Sequence, residues 1–133
     1  MVPVTAHPTS VPAEYASQYT AYQENGYGAP VIDAASMKTF FEAVNADYED
    51  EKTFITLSKD LGKFPPTYIA TCGKDPLRDD GRVLEAMLKK EGVKTKSDLY
   101  EGLPHYFWMM PGIQGGEQFL ANVVKGAQWV LSN

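Results

Sequence analysis

Cysteine, histidine and basic charge are all scarce in this 133-residue chain, and each shortage removes a class of function. The single cysteine, Cys72, cannot form an internal disulfide and fits a reducing compartment. The two histidines, His7 and His105, come with no paired His or Cys spacing, so no metal and no cofactor is assigned. Twelve basic residues against seventeen acidic ones give a formal charge of -5, and the lysines are scattered, so nucleic acid is not expected as a partner. Apolar runs fall far short of the roughly 20 residues that cross a bilayer, and no basic region followed by an apolar run opens the chain. No membrane span is expected, and the cytoplasm is the default location. A Gly-x-Ser-x-Gly turn is also missing: none of the six serines, Ser10, Ser17, Ser36, Ser58, Ser97 and Ser132, has that glycine frame.

What is present suffices for a packed interior. With 44% hydrophobic and 12% aromatic residues, residues 1–133 are expected to form a single globular domain. Val2 to Ala6 reads as a strand closed by His7-Pro8. Tyr15, Tyr19 and Tyr22 share a face if Pro12 to Tyr22 is helical, which serves packing or, alternatively, an aromatic wall. Asn25 to Pro30 reads as a turn. Asp33 is expected to cap a helix whose buried stripe is Met37, Phe40, Phe41 and Val44, ending near Asn45. Asp47 to Lys52 is a charged loop, and Thr53 to Asp60 is a short helix or an extended piece.

Thr67 to Cys72, between Pro66 and Gly73, is β-branched and aromatic and reads as a strand. Asp79 or Asp80 is expected to cap the next helix, with Val83, Leu84, Met87 and Leu88 inward and Lys89 and Lys90 at its negative end. Lys96 to Tyr100 is a second strand, Gly102 to Gly116 is irregular, and Gln118 to Leu131 is a covering helix. Strand, helix, strand, helix implies an α/β architecture with a parallel sheet, and ligand chemistry belongs beyond the strand C-termini.

Asp75 and His105 fall there. Asp75 alone is as readily an Asx-turn former, and His105, among Leu103, Tyr106, Phe107 and Trp108, as readily a buried imidazole bonded to a carbonyl. Cys72, inside the strand, reads as an inert core thiol.

The order Pro65-Pro66, apolar strand, Asp75-Pro76-Leu77-Arg78-Asp79, amphipathic helix ending Glu91-Gly92-Val93, then Tyr100-Glu101-Gly102-Leu103-Pro104-His105 resembles the C-terminal part of an α/β-hydrolase. Within that fold it is similar to the hormone-sensitive-lipase-like esterases, above all their fungal members. The resemblance implies a partial α/β-hydrolase fold of about three parallel strands with flanking helices, Val2 to Pro8 corresponding to the sixth strand and its exit. It also implies that Asp75 is the triad acid and His105 the triad base, with Leu77 and Tyr106 at the substrate pocket. Where many relatives place Gly-Phe after the histidine, this chain has Tyr106-Phe107.

The family's His-Gly-Gly-Gly oxyanion loop and its Gly-Asp-Ser-Ala-Gly elbow have no counterpart here. The resemblance therefore implies the Asp and His half of a serine carboxylic ester hydrolase, inactive on esters alone. Its expected partners are a small ester substrate and, at the apolar strand edge of Val2 to Ala6, an N-terminal half of the fold or a second copy of the chain. Two alternatives stand beside it: a truncated protein doing serine-independent acid/base chemistry such as cyclisation or dehydration, and a non-catalytic binding or assembly module.

Overall fold

The computed structural model describes residues 4–133. Its framework is a β-α-β unit: β1 (Thr67–Cys72), α3 (Arg78–Lys90) and β2 (Thr95–Tyr100), preceded by α1 (Ala21–Asn25) and α2 (Ala34–Ala43) and followed by α4 (Gly116–Leu131). The strands run parallel, from Thr67 opposite Thr95 to Cys72 opposite Tyr100. A 13-residue helix supplies the long connection that parallel strands need.

Alternation along β1 divides the interior. Ile69 joins Leu61, Leu84, Leu88 and Val93 against α3, whereas Ala70 and Cys72 join the larger cluster around Phe54, Phe107 and Phe119. Two glycines set how closely the helices approach. A β-carbon at Gly81 would stand 2.5 Å from Thr71 Cγ2, and one at Gly126 of α4 would stand 2.5 Å from the Tyr68 ring. Among the described residues no helix is long and apolar enough to cross a membrane.

Several expectations are corrected. The strand at Val2 to Ala6 begins outside the described residues, and Val4 to Ala6 is not a strand, so the sheet has two strands among the described residues rather than three. The backbone N–H groups of Thr5 and Ala6 donate to Asp80 Oδ1 at 2.9 and 3.0 Å, a partner no ladder can share. The helix over Pro12 to Tyr22 is broken into a 3₁₀ turn, Ala13–Gln18, and α1. Asp79 Oδ2 accepts from the N–H groups of Thr20 and Ala21, both at 2.8 Å, so a side chain far along the chain starts a new helix there.

Asp79 and Asp80 are thus not the caps of α3, whose preceding residue Leu77 has no side-chain cap; they sit inside its first turn and reach outwards. α2 does carry the Asp33 cap, in a capping box with Ser36, each backbone N–H reaching the other side chain at 2.8 Å. Its stripe is only half covered, since Met37 and Phe41 are buried but Phe40 is 56% and Val44 71% exposed. Ile55–Leu57 and Phe107–Met109 are single 3₁₀ turns within the segments read as short or irregular.

Candidate active site

Beyond β1 the chain turns through Gly73 and Lys74, whose N–H groups donate to Tyr100 O at 2.9 Å and Leu103 O at 3.0 Å. This ties the turn to the end of β2 and to the loop that carries His105. A β-carbon at Gly73 would come within 3.0 Å of Gly102 N, so the two loops approach at a distance that glycine allows.

Asp75 is completely buried and its two oxygens have separate tasks. Oδ1 accepts from Leu77 N at 2.8 Å, an Asx turn leading into α3, and Oδ2 lies 2.7 Å from His105 Nδ1. An ionised carboxylate only accepts, so opposite an ionised Asp75 the donor is His105 Nδ1, and in a neutral ring Nε2 is then the atom with the free lone pair. His105 is partly open, its side chain 18% exposed. Tyr106 follows it in the left-handed region, φ 65°, a conformation that costs a bulky residue energy and that glycine adopts freely.

His105 also lines an apolar cleft of about 430 Å³. Ile32, Met37, Phe40, Phe41 and Val44 of the α2 region line it, together with Phe54 and Leu77 among others. Of the two residues expected at the pocket, Leu77 lines this cleft. Tyr106 is not among its lining residues; its ring stacks beside the His105 imidazole, centroids 6.2 Å apart. None of the six serines hydrogen-bonds to His105 among the described residues; Ser36 and Ser97, for example, are engaged with Asp33 and Glu85.

A profile described as the alpha/beta hydrolase fold matches residues 2–109. The chain belongs to the α/β-hydrolase family. It is 47% identical to a versiconal hemiacetal acetate esterase of Dothistroma septosporum, over 99% of this chain and 40% of that protein. It is 38% identical to the esterase of the same name from Aspergillus parasiticus, over 98% of this chain and 42% of that one. Among solved structures, vibralactone cyclase superposes with a TM-score of 0.91 at 32% identity, covering 98% of this chain and 38% of the cyclase. This α/β-hydrolase chain therefore spans about two fifths of the length of these relatives.

Behind the Asp–His pair the hydrolase chain has a polar layer that periodicity does not reveal. Asp80, fully buried, accepts from Thr5 N, Ala6 N and, at 2.6 Å, the Tyr19 hydroxyl. Burial pushes its carboxyl up to about 7 against the pull of those three donors. For Asp79 burial works upwards too, but the Arg78 guanidinium and the Thr20 and Ala21 N–H groups outweigh it and hold the carboxyl below its ordinary range.

Asn25, assigned to a turn on sequence, is buried and donates from Nδ2 to Gly73 O at 3.1 Å and Asp75 O at 3.2 Å. No local signal marks it, because its partners lie 48 and 50 residues away. Tyr22, next to Tyr19, has a buried hydroxyl with no partner among the described residues.

The other reactive side chains serve packing. Cys72 is buried, and burial pushes its thiol up to about 12, which leaves it un-ionised and unreactive at neutral pH. His7 stacks on Tyr48 at 3.7 Å and its Nδ1 accepts from Thr9 N, while burial lowers its affinity for a proton.

Proposed function

We propose that this chain supplies the acid and the base of a serine carboxylic ester hydrolase whose nucleophile comes from outside the segment. The 2.7 Å contact between buried Asp75 and His105, at the edge of an apolar cleft, carries the reading. Asp75 holds the ring with Nδ1 protonated, so Nε2 is the basic atom. With an ester bound, Nε2 takes the proton from a serine hydroxyl as Oγ attacks the carbonyl carbon, then returns it to the departing alkoxide. The same ring next removes a proton from water as the water oxygen attacks the acyl carbon, and returns it to the serine Oγ as the acid leaves. Asp75 stabilises the imidazolium in both halves without itself being protonated. The cleft suits an uncharged, apolar portion of the ester, because His105 is the only titratable residue on its wall among the described residues.

The test is complementation. The chain is co-expressed with the part of the Dothistroma septosporum esterase that lies outside the matched segment, and hydrolysis of short acyl nitrophenyl esters is followed. The expected result is turnover in the mixture that His105→Ala lowers by about 10³-fold or more. An unchanged rate with His105→Ala would sink the proposal.

The likeness to vibralactone cyclase favours a second reading, in which the pair moves protons in a ring closure. That reading requires the chain alone to convert a substrate with a pH profile that His105→Ala removes.

A further inference from the structure

We infer that Asn25 is a positioning residue for Asp75, holding the carboxylate in line with His105. The inference rests on reading Asp75 and His105 as acid and base. The two bonds of the carboxylate, to Leu77 N and His105 Nδ1, orient it within its own loop and towards the ring. They do not determine where the loop backbone stands. From the sheet side the loop is held by Gly73 N on Tyr100 O and Lys74 N on Leu103 O. Apart from these, only Asn25 among the described residues outside 73–80 bonds to the loop backbone, one amide spanning the carbonyls of Gly73 and Asp75.

Asn25 is itself well anchored. It ends α1, a helix of only five residues whose start is held by Asp79 on the N–H groups of Thr20 and Ala21. Arg78 adds bonds to Glu24 at 2.8 Å and to Thr20 Oγ1 at 3.3 Å. Helix α1 is thus a strut with both ends fastened to residues 73–79, one through Asp79 and one through Asn25. Its C-terminal side also leads into the cleft wall, since Gly26 O accepts from Ala34 N at the start of α2. An amide suits this place because both partners are acceptors and its NH₂ offers two donors. A carboxylate there would face two carbonyl oxygens with no proton to give.

The test reads the His105 ring directly in the full chain by nitrogen-15 NMR. A ring N–H bonded to a buried carboxylate resonates far downfield and exchanges slowly with water, and His7, whose Nδ1 is an acceptor, serves as the internal control. Asn25→Ala removes the donors, and Asn25→Asp keeps the shape while removing them. Both are expected to speed exchange of the His105 N–H by about tenfold, the scale of one to two hydrogen bonds, with the His7 signals unmoved. Met87→Ala, which loosens packing on α3 away from the loop, is expected to leave that exchange alone. Unchanged exchange in the Asn25 variants, equal acceleration in Met87→Ala, or failure of both Asn25 variants to fold would each overturn the inference. The outcome separates from that of complementation: an active mixture with an unmoved N–H removes only the role of Asn25, whereas an inactive mixture with an accelerated N–H removes only the esterase reading.

Discussion

The two sides of the cleft are held by opposite means. The loop with Asp75 is fixed by buried, directional hydrogen bonds to segments far away in sequence, from Asn25, from the Gly73–Tyr100 contact and from the ring of His105. The facing wall, α2 with Phe54, is fixed by contacts among Ile32, Met37, Phe41 and Phe54, and leaves Phe40 and Val44 open. In the proposed reaction His105 must stay in one tautomer, and that needs bonds with direction. A wall that accepts the apolar part of a ligand needs only surface, and apolar contacts adjust without leaving a polar group unpaired.

The sharpest break of this comparison lies within the wall. Phe54 is fully buried at the centre of its cluster, so Phe54→Ala is expected to cost about 3 to 5 kcal/mol in urea unfolding. Phe40→Ala, at a half-open site on the same cleft, should change stability by no more than about 0.5 kcal/mol while weakening substrate binding in the complemented enzyme. Equal costs would mean that the wall is not divided as described.

The polar side is tested by pH. Asp80 has its carboxyl raised from an ordinary 3.8 to about 7, so the folded state prefers the protonated form. Its contribution is therefore complete below about pH 4 and is lost as pH rises through about 7. Unfolding free energy is expected to fall by a few kcal/mol over that window, and Asp80→Asn should flatten the slope. A slope that survives in Asp80→Asn would assign the effect elsewhere.

The smallest effect contrasts two neighbouring tyrosines. Tyr19→Phe removes the 2.6 Å bond to Asp80 and should cost about 1 to 2 kcal/mol. Tyr22→Phe removes a hydroxyl that has no partner among the described residues and should be neutral or slightly stabilising. Equal losses would show that Tyr22 has a bond the fold does not explain.

Legibility in the sequence follows the range of the interactions. β1, α3 and β2 could be read because a β-branched run between proline and glycine, and apolar residues at helical spacing, are local properties. Local chemistry leaves Asp75 and His105 open; their pairing is what the resemblance of the ordered motifs implies, and the fold brings the two together at 2.7 Å. The Asx-turn reading of Asp75 also holds, since one oxygen makes the turn while the other meets His105. The Val2 to Ala6 expectation went wrong at Thr5 and Ala6, where a carboxylate 74 or 75 residues away takes the N–H groups a strand would need. Asp79 and Asp80 stood at the right place to be caps, and their residue type gave no hint that each would instead hold a remote segment. Periodicity found the stripe on α2 but could not say that only half of it would be covered.

The paired carboxylates of Asp79 and Asp80 also bear on how freely this protein can vary. They fasten residues 5–6 and 20–21 to α3, and so close long loops without a covalent link. The entropy of closing such loops grows only with the logarithm of their length, so even a tenfold longer intervening segment would cost about 2 kcal/mol. A change of length in an exposed stretch of residues 26–63, away from buried Met37, Phe41 and Phe54, thus costs little closure entropy and leaves the loop bearing Asp75 in place.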